Sequence, residues 1–275
     1  MTGRMPLRIL TFNCSAIPVL TPAVRPRLLR LTAEIRKLDP DLICLQEVGL
    51  ESYARLLKER LRRWPFSFWE RARRGGVVCG GLAVFSKKPF YEACFEPFSR
   101  QGPWLGYSLL ARMSRKGIMR LKFRDPELEL LHAHPVADYS ATRRTWTRYA
   151  KLQERQVAQL IGRVRSSGHS GRLVVAGDLN FTPDSGSYAA MTDGLGLVDL
   201  MEGERRPSIL SDREWGASFW IPRRRVRIDY LLVSRDLIRR GKTRAGYVFD
   251  RVFRWSRTLE SALSDHCGVL GELQP

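Results

Sequence analysis

Short apolar runs that alternate with polar positions recur along the chain and predict strands, because successive side chains of a strand point to opposite faces. Turn-forming residues such as Gly, Pro, Asn and Asp separate these runs. The predicted strands cover residues 7–13, 42–47, 80–86, 91–95, 106–113, 117–123, 128–134, 172–176, 227–234 and 267–273. The short connections between 106 and 134 predict an antiparallel meander.

Apolar residues spaced three or four positions apart predict helices between the strands. In the helix predicted over 24–38, Leu28, Leu31, Ile35 and Leu38 form one stripe, and Asp39-Pro40 ends it. The other predicted helices cover 52–62, 142–164 and 187–192. Helices between runs of closely connected strands predict a layered α/β (α+β) fold with mixed, mostly antiparallel sheets.

The length allows one large domain or two small ones, and candidate site residues near both ends of the chain predict one globular domain over residues 1–275. The chain is 44% hydrophobic and 27% charged, and no Ser/Gly-rich or Pro-rich linker divides it. Its five cysteines have no CxxC spacing, which argues against a zinc site or a disulfide framework. Residues 1–6 lack the apolar core of a signal peptide, and no apolar run could span a bilayer. We therefore expect a cytoplasmic, monomeric protein without a transmembrane segment.

The formal net charge of +19 favours polyanionic partners, either nucleic acid or an anionic membrane surface. Basic residues cluster at 71–74, 143–144 and 223–227. Arginine on solvated faces would give the same composition, so charge alone does not choose a partner.

The candidate chemistry lies where predicted strands end. The segment 174–180 is an apolar run followed by Gly177, Asp178, Leu179 and Asn180. In an extended chain, residues i and i+2 point the same way, so Asp178 and Asn180 are expected to face one site. This pair suits a phosphate ester, because a carboxylate can bind a cation or orient a water and an amide can donate to a phosphoryl oxygen.

Other predicted strand ends carry similar side chains. These are Asn13, Glu47, His134, Asp229, Asp265 and His266. One alternative stays open at this point, in which Asp229 is a strand-edge residue paired with Arg227. His132 is expected on the same side as His134, but we interpret it as structural.

The ordered set resembles the endonuclease/exonuclease/phosphatase superfamily of Mg²⁺-dependent phosphoesterases. The matching segments are Thr11-Phe12-Asn13, Gln46-Glu47, Ala133-His134, Gly177-Asp178-Leu179-Asn180, Arg227-Ile228-Asp229-Tyr230 and Ser264-Asp265-His266. Within the superfamily, the chain is similar to the neutral sphingomyelinase branch. The segments that carry this second resemblance are 13–18, 81–89, Lys116-Gly117 and 134–139.

The resemblance implies a four-layer αββα sandwich and a role for each site residue. Glu47 would be the main Mg²⁺ ligand, with Asn13 and Asp265 beside it and Mn²⁺ as a possible substitute. His266 would be the general base and Asp229 would orient it. Asp178 would position the attacking water. The remaining residues would act on the phosphate: Asn180 as a donor, His134 as a stabiliser or as the acid for the leaving group, and Lys116 by offsetting charge.

The implied activity is a phospholipase C type phosphodiesterase that acts on sphingomyelin or a related phospholipid at an anionic membrane surface. A nuclease with the same catalytic residues is the alternative. A third alternative is an inactive binding module. The chain departs from the branch motif at Pro135 and at Val136, which replaces a histidine, and from the family motif, where His132-Ala133-His134 replaces Asn-Thr-His. The last of these departures is what favours the inactive module. Retention of the acidic residues and His266 argues against it.

Overall fold

The helices and strands follow the hydrophobic pattern closely. The computed structural model describes residues 6–18, 21, 23–72, 76–102, 112, 114–137, 147–167, 172–209, 225–238, 243–254 and 260–274. Among them the helices are α1 (Val24–Leu38), α2 (Glu51–Arg60), α3 (Thr147–Ser166) and α4 (Gly186–Thr192). Helix α1 has the predicted bounds. None of the described helices is both long and apolar enough to cross a membrane.

The described strands form two six-stranded sheets and a small hairpin. The first sheet has the order β11-β14-β1-β2-β4-β3, with β1 (Leu7–Ala16), β2 (Leu42–Val48), β3 (Phe66–Phe68), β4 (Ala83–Ser86), β11 (Thr243–Val248) and β14 (Gly268–Leu273). The second has the order β5-β6-β7-β8-β10-β9, with β5 (Phe90–Pro97), β6 (Gly117–Arg124), β7 (Glu127–Ala133), β8 (Leu173–Asp178), β9 (Leu197–Asp199) and β10 (Asp229–Ser234). The hairpin is β12 (Phe253–Arg254) with β13 (Glu260–Ser261).

Each sheet is mixed, with one parallel pair among antiparallel ones. Helix α1 connects the parallel strands β1 and β2, and α3 connects β7 and β8, as parallel strands require a crossover connection. The neighbouring pairs are antiparallel, including the predicted β6–β7 hairpin. This arrangement confirms the predicted mixed, mostly antiparallel sheets.

Strand alternation divides the core into three apolar layers, which produces the four-layer αββα sandwich. In β1, Ile9 packs between the two sheets, whereas Leu10 packs under α1 and α2. In β8, Val174 faces the other sheet, whereas Val175 lies beneath α3. Because both faces of each sheet are covered, the central strands read as nearly continuous apolar runs.

Some sequence-based boundaries were wrong. Strand β4 starts at Ala83, because 79–81 form a 3₁₀ turn in which Gly80 has a φ of 66°. Arg227 and Ile228 precede β10 and are not part of it. The short strands β3, β9, β11, β12 and β13 were not predicted. The strand predicted over 106–113, apart from Arg112, and the first residues of the helix predicted over 142–164 lie outside the described residues.

We predict that Gly177→Ala destabilises the protein by at least about 2 kcal/mol. Gly177 has a φ of 144°, and a Cβ there would overlap the carbonyl oxygen of Ala133 on the neighbouring strand. The control is Gly162→Ala in α3, where a Cβ has open space around it and alanine favours the helix by about 1 kcal/mol. Denaturant unfolding measures both, and equal stability of the two variants would contradict the close approach.

Candidate active site

The interface between the two sheets is apolar along most of its length and becomes polar at one end. Residues on the inner face of β2 run from Leu42 and Cys44 to Gln46, and those of β8 run from Val174 and Ala176 to Asp178. The same alternation places further buried polar side chains at this end. They are Thr11, Asn13, His132 and Asp229. The sandwich therefore gathers polar groups from both ends of the chain at one edge.

A buried histidine–carboxylate pair occupies this edge. His266 Nδ1 lies 2.8 Å from Asp229 Oδ2, and His266 Nε2 lies 3.8 Å from Asp178 Oδ2. Asp229 and Asp178 are directly opposite each other on the paired strands β10 and β8. A ring nitrogen this close to a carboxylate donates its proton to it, which leaves Nε2 as the free basic atom. The alternative pairing of Asp229 with Arg227 is wrong, since Arg227 Nη2 lies 2.7 Å from Asp199.

The charges of this group shift the pKa values of its members. Burial lowers the pKa of His266, but the nearby Asp229 and Asp178 outweigh it and raise that pKa well above its usual value. Burial raises the pKa of Asp229. The pKa of Asp178 is lowered, because His266 and His134 oppose the effect of burial on that carboxyl. His266 thus lies between two carboxylates that stabilise its imidazolium form.

Asp178 is the centre of the polar contacts. Its Oδ2 accepts from Asn13 Nδ2 at 3.0 Å and lies 3.4 Å from His134 Nε2, and its Oδ1 accepts from the backbone N–H of Asn180 at 3.2 Å. The structure therefore brings together Asn13 from the first sheet and His134, Asp178 and Asn180 from the second.

Glu47 reaches the site through an unusual backbone conformation. By strand alternation its side chain would follow Leu45 toward the helices, but Glu47 has a φ of 58°. Its Oε1 consequently lies 3.9 Å from His134 Nε2. Gly81 leaves room for this bend, since a Cβ at Gly81 would be 3.2 Å from the Glu47 Cα.

The three predicted metal ligands differ in how they are held. Asn13 Oδ1 accepts from the backbone N–H of Ser15 at 3.0 Å, and Asp265 Oδ1 accepts from Ser264 Oγ at 3.2 Å. The Glu47 side chain keeps 22% of its surface exposed. All three offer hard oxygen atoms, which fits Mg²⁺. The role of each as a ligand stays a prediction.

The two predicted phosphate donors converge on one carbonyl oxygen. Lys116 Nζ donates to Pro135 O at 3.2 Å, and Asn180 Nδ2 donates to the same atom at 3.1 Å. The expectation that the chain stays extended through Asn180 was wrong, because β8 ends at Asp178 and Asn180 has a φ of 57°. Burial lowers the pKa of Lys116 from 10.5 to about 8.

His132 has the structural role that we expected. Its Nε2 lies 2.7 Å from Gln46 Nε2, which also donates to Thr11 Oγ1 at 2.9 Å, so that a polar contact joins the two sheets beneath the site. Burial lowers the pKa of His132 from 6.5 to about 3. The ring is therefore neutral and accepts from the Gln46 amide.

The sequence interpretation missed Ser208, which supports the Asp229–His266 pair. Ser208 Oγ accepts from the backbone N–H groups of Ile228 and Asp229, at 3.0 and 3.3 Å, and its carbonyl accepts from Cys267 N–H at 2.7 Å. One buried residue thus connects the segments that carry Asp229 and His266. A lone serine between Pro207 and Ile209 gives no motif by which to find it.

The chain belongs to the endonuclease/exonuclease/phosphatase family, whose model matches residues 10–266. It is 28% identical over 201 residues to a putative neutral sphingomyelinase of Drosophila melanogaster, a match that covers 72% of this chain and 44% of that protein. The chain thus spans less than half the length of this curated relative. These findings confirm the resemblance to the superfamily and to its neutral sphingomyelinase branch.

Solved structures of two proteins share the fold. A Staphylococcus aureus beta toxin mutant with bound magnesium ions gives a TM-score of 0.69 at 13% identity, covering 97% of this chain and 99% of that one. TDP2 of D. rerio, complexed with a single-strand DNA product, gives 0.68 at 15% identity, with 98% and 99% covered. At such identities the likeness confirms the predicted sandwich fold.

We predict that His132→Asn makes stability less sensitive to acid. The folded-state pKa of His132 is depressed, from 6.5 to about 3, so the unfolded chain binds a proton in this window that the folded protein does not. The free energy of unfolding of the unmodified protein therefore decreases as the pH is lowered through this window, by up to about 1.4 kcal/mol per pH unit from this residue. Urea unfolding across the window measures the two slopes, and identical slopes would contradict a neutral, buried His132.

Proposed function

We propose that the protein is a Mg²⁺-dependent phosphodiesterase of phospholipase C type that hydrolyses the head-group ester of a phospholipid such as sphingomyelin. The observation that carries the proposal is the buried arrangement in which His266 Nδ1 faces Asp229 at 2.8 Å while Nε2 faces Asp178 at 3.8 Å. The family match and the likeness to a putative neutral sphingomyelinase support it.

Glu47, Asn13 and Asp265 would hold the cation. Bound Mg²⁺ would polarise a phosphoryl oxygen and offset the negative charge of the transition state. Another group of potential ligand atoms, from Asp178, Asp229 and His266, lies within 4.8 Å. Because His266 and Asp229 are hydrogen-bonded to each other, this second group suits proton transfer better than metal binding.

The side chains divide the reaction between two sides of the phosphate. His266 takes a proton at Nε2 from the attacking water, while Asp229 stabilises the resulting imidazolium through Nδ1. Asp178 accepts a hydrogen bond from that water and fixes its direction. The water oxygen bonds to phosphorus, the bond from phosphorus to the lipid oxygen breaks, and His134 gives a proton to the departing oxygen. Lys116 and Asn180 stabilise the phosphate oxygens.

The substrate class has one alternative with support of its own. The net charge of +19 suits a nucleic-acid phosphodiester as well as an anionic membrane, and the D. rerio TDP2 structure contains single-strand DNA product. We favour lipid because of the sphingomyelinase-like segments 13–18, 81–89 and 116–117 and the curated relative. A basic protein binds DNA in any case, so that only the cleavage products separate the two.

We predict that the protein releases phosphocholine from sphingomyelin vesicles and that His266→Ala and Glu47→Gln each lower kcat by about 10³-fold. Glu127→Gln, at an exposed position at the start of β7, is the matched control and should keep full activity. Removal of Mg²⁺ with EDTA should abolish release and its return should restore it.

Two outcomes would change this interpretation. A folded protein that releases no phosphocholine but cleaves DNA or RNA in a His266-dependent reaction would favour the nuclease. Undiminished release by Glu47→Gln would refute Glu47 as a metal ligand.

We predict that the KM for sphingomyelin rises as the pH exceeds about 8, because Lys116, with its pKa lowered to about 8, loses its charge there. Lys116→Arg should keep KM low to higher pH, since a guanidinium stays protonated. Lys116→Gln should have a raised KM at every pH. Steady-state assays on mixed micelles check this, and a pH-independent KM in the unmodified protein would contradict a phosphate-binding Lys116.

A further inference from the structure

Arg27 is a buried cation that contacts both halves of the candidate site. It lies in the first turn of α1 and is 2% exposed. Arg27 takes no part in the reaction proposed above. A buried arginine is costly unless its donors are satisfied, so its partners indicate its purpose.

The partners of Arg27 are backbone carbonyls of two segments that lie far apart in sequence. Nη1 donates to Cys14 O at 3.1 Å and to Leu263 O at 2.6 Å, and Nη2 donates to Ser15 O at 2.8 Å. Cys14 and Ser15 immediately follow the predicted ligand Asn13. Leu263 lies two residues before Asp265 and three before His266.

We propose that Arg27 is a positioning residue that sets the separation between the metal side of the site, at Asn13, and the general-base side, at Asp265 and His266. The inference rests on the function proposed above. A planar guanidinium presents its N–H groups in a fixed fork, so that it holds both segments at once in one geometry. A lysine ammonium is a single point donor on a flexible stem and cannot reproduce that spacing.

The surrounding charges agree with this role. Burial lowers the pKa of the Arg27 guanidinium, whereas nearby acidic groups, among them Asp265 and Glu47, raise it. The cation therefore also offsets repulsion between carboxylates that the site brings together. We call the set of hydrogen bonds from Arg27 to the carbonyls of Cys14, Ser15 and Leu263 the carbonyl clamp. It needs a charged group of fixed shape, which the planar guanidinium provides.

The experiment compares Arg27→Lys with Arg30→Lys, one turn further along α1. Arg30 is half-exposed and pairs with the buried Glu34 at 3.0 Å, a pairing that lysine can keep, so Arg30→Lys should change neither activity nor exchange. Arg27→Lys should lower kcat about 100-fold with KM changed less than about threefold, because misplaced catalytic groups slow the chemical step rather than binding. Amide hydrogen exchange should speed up in 13–16 and 262–266 together and stay unchanged in 127–133.

Each outcome decides the matter. Unmodified protein without activity on sphingomyelin would overturn the proposed function, and the exchange data would still test the clamp without any substrate. Full activity and unchanged exchange in Arg27→Lys, beside an active unmodified protein, would overturn the clamp alone. If activity falls only as far as the fraction of folded protein falls, Arg27 has a structural role alone and the positioning role is overturned.

If Arg27→Lys does not fold, NMR of the unmodified protein replaces it. A guanidinium fixed by three carbonyls should show separate, slowly exchanging Nη signals for Arg27. Freely rotating Nη groups would overturn the proposal.

Discussion

The site depends on the face-to-face packing of the two sheets, whose inner side chains meet in one interface. Along most of the interface these side chains are apolar, from Ile9 and Leu42 to Val174 and Leu231. At one end the same rows continue with Asn13, Gln46, Asp178 and Asp229, all almost fully buried. Ionisable groups in such surroundings are stable only if they satisfy one another. The reactive geometry is therefore a consequence of where apolar rows end.

The mutual dependence of the charged groups follows from that burial. Asp178 and Asp229 face each other across β8 and β10, and two buried carboxylates would repel strongly. His266 lies between them, as a donor to one and a neighbour of the other. Loss of the histidine leaves two uncompensated anions, so its replacement affects both the chemistry and the local balance of charge. The two carboxylates stabilise the protonated form of His266, and its pKa is therefore raised.

Much of this arrangement could be predicted from sequence because it is periodic. A polar residue at the end of an apolar run located Asn13 and Asp178, one at the start of such a run located Asp229, and the helical stripe gave the bounds of α1. The exceptions are aperiodic. Glu47 enters the site only because its φ is positive, and Ser208 acts through backbone groups of segments 20 or more residues away. In the sequence, Arg27 looks like any other basic residue of an amphipathic helix. Short edge strands such as β3 contain too few buried residues to give a hydrophobic pattern.

The chemistry of the site and its choice of substrate have different physical origins. In the proposed reaction, His266, Asp229 and Asp178 would act on a phosphodiester whatever alcohol it carries, so that one fold can serve several substrates. Next to the proposed phosphate donors, Lys116 and Asn180, the chain departs from the motif of its branch at Pro135 and Val136. Pro135 O accepts from both Lys116 and Asn180. An ammonium has three N–H donors and a carboxamide two, so in the proposed reaction each would keep at least one for a phosphate oxygen. The Pro135 carbonyl thus holds both side chains in one orientation in advance of any binding.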